Sequence, residues 1–221
     1  MKPIRIQRGV EDAPGGVRAV FRAGPEPEKA AGTVICLHGR GAPAQSILTL
    51  FGQLGLENLA AVAPEAEVRT WYPLSFLSPL EENQPKLDQA LERVERHVRN
   101  LNSRGVAADR IAFLGFSQGA CLALEYAARN PRRYAAVIGL SGGLIGPPGS
   151  PMDHTGSLEG TPVFLGWGDP DPHVPFERVE ESSTVLSKMG AAVTLRRYPG
   201  MGHSINEDEL SACRELLGRL A

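Results

Sequence analysis

Cysteine is scarce: Cys36, Cys121 and Cys213 are the whole supply in 221 residues. The number is odd and no two stand at C-x-x-C spacing. Neither a disulfide framework nor a thiolate metal site is therefore expected, and buried free thiols in a reducing compartment are. A surplus of one charge is also missing. Lys and Arg number 23 against 25 Asp and Glu, a formal net charge of −2. That balance recommends neither nucleic acid nor an anionic membrane as a partner. No apolar run approaches the ~20 residues that cross a bilayer. Met1 to Arg8 has no apolar core of a secretory signal. These absences together lead to the expectation of a soluble, cytoplasmic protein with no membrane span. No His, Cys, Asp or Glu cluster has metal-ligand spacing. No lysine closes a glycine-rich phosphate loop, and Gly200-Met201-Gly202 lacks the third glycine of a dinucleotide fingerprint. Neither metal nor cofactor is expected. Repeats, low-complexity tracts and linkers are absent too, so residues 1–221 read as one domain.

What is present is a regular alternation of apolar runs and helical stripes, punctuated by Gly and Pro. Val17 to Arg22 alternates apolar with polar and reads as an edge strand. Thr33 to Leu37 is continuously apolar, as a strand covered on both faces would be. Leu59 to Ala63, Arg110 to Leu114, Ala135 to Leu140, Pro162 to Leu165 and Val193 to Tyr198 read as further strands. Ile47 to Leu56, Ala120 to Ala128, Phe176 to Met189 and Asn206 to Leu220 read as helices between or after them. The clearest helix is Pro85 to Leu101, with Leu87, Ala90, Leu91, Val94, Val98 and Leu101 on one stripe. Asn83 is its expected cap and His97 falls on its wet side. Glu92–Arg96 and Glu95–Arg99 are expected surface pairs. Val68 to Leu80 has no period and reads as a loop. The fold class that follows is α/β, a mostly parallel sheet with helices on both faces.

Within this alternation, Gly115-Phe116-Ser117-Gln118-Gly119 sits between a strand and a helix. That is the setting of a nucleophile elbow, in which a sharp turn exposes a serine above the sheet edge. A serine hydroxyl needs a base within hydrogen-bond reach. His203 is the candidate, in a loop before the last helix, and His38 is its rival in the turn after Cys36. The base needs an orienting carboxylate; Asp169 and Asp171 both follow the right strand, and spacing does not separate them. A tetrahedral oxyanion needs backbone donors. Gln118 supplies one at the helix start and Arg40 the other, flanked by Gly39 and Gly41. Trp71, Tyr72, Phe76 and Met201 are candidates to line an apolar substrate groove. The stretch from Gly142 to Gly160 is short and rich in Gly and Pro, which predicts no multi-helix lid and an open, shallow site.

Leu37-His38-Gly39-Arg40-Gly41-Ala42, Gly115-Phe116-Ser117-Gln118-Gly119-Ala120, Leu140-Ser141-Gly142-Gly143, Asp171-Pro172-His173-Val174-Pro175 and Gly202-His203 occur in this order. From about Thr33 onward they resemble the phospholipase/carboxylesterase family of α/β-hydrolases, which includes the acyl-protein thioesterases. Arg40 followed by Gly-Ala, and Thr70-Trp71-Tyr72-Pro73, are similar to its bacterial branch. The resemblance implies the α/β-hydrolase fold, Ser117 as nucleophile, His203 as base and Asp171 rather than Asp169 as the acid. It also implies a homodimer. The expected activity is hydrolysis of small or short-to-medium acyl esters, or thioesters, through a Ser-His-Asp triad. Two alternatives remain open. One is a lactone hydrolase of dienelactone type, although those enzymes carry cysteine where this chain has Ser117. The other is a binding protein that keeps the fold without the chemistry.

Overall fold

The computed structural model describes residues 4–13, 16–150 and 152–220. Met1 to Pro3, part of the segment weighed as a signal sequence, lie outside the described residues. Eight strands form one sheet: β1 (Gln7–Ala13), β2 (Gly16–Ala23), β3 (Gly32–Leu37), β4 (Leu59–Pro64), β5 (Ile111–Phe116), β6 (Ala136–Leu140), β7 (Pro162–Asp169) and β8 (Ala192–Pro199). Their spatial order is β1-β2-β4-β3-β5-β6-β7-β8. β1 and β2 join antiparallel, and every pairing from β4 through β8 is parallel.

The central strands alternate between two cores, which is why they read as unbroken apolar runs. On β3, Ile35 and Leu37 face one core while Val34 and Cys36 face the other. The first core is covered by α2 (Lys86–Ser103), α3 (Gln118–Arg129) and α4 (Phe176–Lys188). The second is covered by α1 (Ala44–Gln53) and α5 (Glu207–Gly218). This is the expected α/β arrangement with helices on both faces. Between β6 and β7 the described residues form no helix or strand, so no large lid covers the sheet edge; Pro151 lies outside them. No helix of the described residues is long and apolar enough to cross a membrane. All three cysteines are buried free thiols.

Four local expectations are corrected. Val17 to Arg22 lies in a strand, but not at the edge, because β1 pairs outside it. β1 reads Gln-Arg-Gly-Val-Glu-Asp-Ala and carries too little apolar patterning to announce itself. His97 is buried, not wet, and its Nε2 lies 3.1 Å from a Glu11 carboxylate oxygen on that same strand. Asn83 does not cap α2: its side chain accepts from the Leu74 N–H at 2.9 Å and donates to Ser75 O at 2.9 Å. Of the two surface pairs, Glu95–Arg99 forms at 3.5 Å, whereas Arg96 turns to the Asp12 carbonyl and Arg99 also takes Glu92.

Candidate active site

The elbow's shape follows from two glycines and one strained serine. Ser117 has φ 55 and ψ −121, a conformation costing about 1–3 kcal/mol for a residue with a side chain. The crossing is so tight that a Cβ on Gly119 would lie 2.1 Å from Leu37 O, and one on Gly115 2.3 Å from Gly119 O. Only glycine lets α3 leave the turn this close to β3. The Ser117 N–H donates to Leu140 O at 2.9 Å, fixing the turn to β6.

His203 reaches the serine from the far side of the sheet edge. Its Nε2 is 2.9 Å from Ser117 Oγ and its Nδ1 is 2.6 Å from Asp171 Oδ2. The loop carrying it presses on β7 so closely that a Cβ on Gly168 would lie 2.0 Å from Gly202 O. Phe116 packs its ring 5.0 Å from the His203 ring. Asp171 is held on its other oxygen, where Oδ1 accepts the N–H groups of His173 at 2.8 Å and Val174 at 3.1 Å. Its side chain is 0% exposed, against 17% for His203. Asp169, left open as a rival by spacing, is instead paired with Arg197 at 2.6 Å on the surface.

His38 sits in an equivalent turn but is fully buried, and both ring nitrogens are engaged. Nε2 accepts the Ala66 N–H at 3.0 Å, so the proton lies on Nδ1, which donates to Gly39 O at 2.8 Å. Burial also lowers its pKa, keeping it neutral. It scaffolds the turn that presents Arg40. The Arg40 N–H has no backbone or side-chain acceptor among the described residues. Gln118 opens α3, where first-turn N–H groups lack intrahelical acceptors. Arg40 and Gln118 both line the same cleft as Ser117.

Around these groups lies a cleft of about 530 Å³ that Ser117, His203, Arg40, Tyr72, Phe76 and His173 help to line. One wall is the loop from Tyr72 to Phe76, and three side chains hold it. Gln118 accepts the Trp71 N–H at 3.0 Å and donates to Tyr72 O at 2.8 Å. Arg40 donates to Pro73 O at 2.6 Å and also to Leu74 O. Asn83 holds Leu74 and Ser75 from behind. The predicted lining set thus divides. Tyr72 and Phe76 border the cleft from buried positions, and Trp71 and Met201 are not among its lining. Trp71 lies under the loop, its Nε1 donating to His38 O at 2.9 Å and its ring 5.0 Å from the His38 ring. Met201 turns toward α5, where its sulfur accepts from Asn206 Nδ2 at 2.9 Å. Sequence reasoning passed over His173, which lines the cleft with its ring 4.8 Å from that of His203. Its place in the Asp171-to-Pro175 stretch at the sheet edge was the available signal.

Among the described residues, no group of three or more His, Cys, Asp or Glu side chains could hold a metal ion. Of the cleft's neighbours, Cys121 is buried, and burial pushes its thiol up to about 12. A thiol so buried is unreactive, and Cys121 serves as part of the wall.

An acyl-protein thioesterase 1 of Gibberella zeae is 33% identical over 115 residues, which is 51% of this chain and 49% of that protein. The match thus spans about half the length of that curated relative. A probable carboxylesterase of Arabidopsis thaliana, SOBER1-like, is 26% identical over 195 residues, covering 80% of this chain and 74% of that one. The crystal structure of a phospholipase/carboxylesterase from Dyadobacter fermentans superposes with a TM-score of 0.86 at 43% identity, over 90% of this chain and 95% of that one. The phospholipase/carboxylesterase family model matches residues 22–220, nearly the full length, and the chain belongs to that family of α/β-hydrolases.

Proposed function

We propose that this hydrolase cleaves carboxylic esters and thioesters of short-to-medium acids, with Ser117, His203 and Asp171 as its catalytic triad. One observation carries the reading: the unbroken contact from Ser117 Oγ through both ring nitrogens of His203 to Asp171, at 2.9 and 2.6 Å. Ser117 Oγ attacks the acyl carbon while His203 Nε2 takes its proton. Asp171, denied solvent and bonded to Nδ1, keeps the proton of the neutral ring on that nitrogen and stabilises the imidazolium. The carbonyl oxygen becomes an oxyanion between the Arg40 and Gln118 amides. Its collapse expels the alcohol or thiol, which takes the proton back from Nε2. Water, deprotonated by His203, then attacks the acyl carbon, and the acid leaves as Ser117 Oγ recovers its proton from Nε2.

The acid's size is limited by the Tyr72-to-Phe76 loop. That wall is apolar in its rings yet anchored at both ends, which favours a compact acyl chain over a long one. The test is an ester panel from acetate to palmitate with a butyryl thioester beside it, run on wild type and Ser117→Ala. Acetate or butyrate esters should lead. The variant should lose a factor of about 10³ or more in kcat. Palmitate turned over far faster than butyrate would end the size argument. An undiminished Ser117→Ala would end the triad.

A further inference from the structure

We infer that His173 is the subsite for the leaving group, and that it selects esters whose alcohol carries a hydroxyl a few bonds beyond the ester oxygen. The inference rests on the triad reading and deepens it. His203 must return its proton to the departing atom, so the alcohol or thiol leaves on the side of the cleft where His203 stands. His173 stands on that side. Its ring meets the His203 ring edge-on, at 4.8 Å between centroids and 74° between planes. It is exposed, it lines the cleft, and neither ring nitrogen has a partner among the described residues. Its backbone is fixed by Asp171 Oδ1, so the carboxylate that orients the base also sets the position of the neighbouring imidazole.

The opposite anchorage belongs to the apolar wall. Tyr72 and Leu74 are tied to Gln118 and Arg40, the residues whose amides face the oxyanion. The cleft is therefore chemically divided. Rings and a leucine border the oxyanion side, and on the base side an imidazole with free nitrogens stands beside Phe116 and Val174. An apolar acyl chain fits the first and a hydrogen-bonding alcohol the second. Because His173 is exposed, the substrate's hydroxyl replaces water on the ring rather than filling a dry pocket. The expected gain is that of one ordinary hydrogen bond, about five- to tenfold in kcat/KM.

The experiment compares glyceryl monobutyrate with propyl butyrate, which share the acyl group and the carbon skeleton of the alcohol. Wild type should prefer the glyceryl ester by about five- to tenfold. In His173→Phe, which keeps the aromatic edge against His203 but removes the nitrogens, that preference should vanish. In His173→Gln, which restores a hydrogen-bonding group, most of it should return. A wild-type ratio near unity overturns the subsite, as does a Phe variant that slows both esters equally. If the Phe variant does not fold, the wild-type ratio and the Gln variant still decide. Fluorophosphonate labelling of wild-type Ser117 is read separately: its failure would sink the triad, whereas a labelled enzyme indifferent to the hydroxyls would sink only the subsite.

Discussion

Two turns at the same rim of the sheet each carry a histidine, and they have opposite fates. The turn after β3 buries His38 completely and occupies both its nitrogens with backbone groups. The turn before α5 leaves His203 partly open, with one nitrogen on a carboxylate and the other on a serine hydroxyl. The ring is the same; the partners differ. Backbone partners on both sides fix a neutral tautomer and make a strut. In the proposed triad, a buried carboxylate behind and a hydroxyl in front make a base whose charged form is stabilised when it appears. Histidine chemistry here is decided by what fills the second hydrogen-bonding position.

Exchanging the two rings for alanine tests that contrast most severely. His203→Ala should lose about 10⁴-fold or more in kcat with an unfolding midpoint close to wild type. His38→Ala should instead destabilise the fold by about 2–4 kcal/mol, because the Ala66 N–H is left buried without its acceptor and a cavity opens. Urea unfolding beside butyrate-ester kinetics separates the two patterns. Equal rate losses with equal stabilities would erase the distinction.

The two aspartates after β7 give the next largest effect. Asp171→Asn should lower kcat by about 10³–10⁴-fold, since the amide can no longer hold His203 in the required tautomer. Asp169→Asn removes only an exposed pair with Arg197, so stability should change by less than about 1 kcal/mol and rate by less than about threefold. Steady-state kinetics on both variants would reveal a reversed assignment at once.

A third buried side chain near this rim responds to pH through stability rather than rate. Glu209, in the capping box of α5, is fully buried, and one of its oxygens has no partner. Burial raises its pKa from 4.5 to about 7. Between those values the folded protein keeps a proton that the unfolded chain has released, so this contribution is whole below pH 4.5 and is lost as pH rises through 7. The window is worth about 3 kcal/mol. Glu209→Gln keeps an acceptor for the Asn206 N–H and should remove this pH dependence. Denaturant unfolding at the two ends of the window checks it.

How far the site could be read in advance follows the same physics. Ser117 was legible because its strand, its glycines and its helix are local, and steric crowding acts over a few residues. His203 and Asp171 needed chain order and resemblance, because hydrogen bonds between loops 32 residues apart leave no local pattern. Trp71 and Met201 were misplaced for a related reason. Aromatic and thioether character marks a side chain as apolar but not the direction it points, and each found a hydrogen-bond partner away from the cleft. β1 was missed because its side chains carry little apolar pattern: its backbone pairs with β2, and Glu11 meets Arg93 at 2.7 Å and His97 at 3.1 Å, partners more than eighty residues away.

Residue types and short-range spacing were enough for the parallel core, its helices and the elbow, because burial on both faces writes apolar runs into the chain and tight crossings demand glycine. Chain order and resemblance already favoured His203 over His38 and Asp171 over Asp169, but only the packed molecule decided which ring met which carboxylate and turned Arg40 toward the Tyr72 loop. Each of those choices depends on which distant group arrives within hydrogen-bonding distance. Distance in space is a property that neighbours in sequence do not encode.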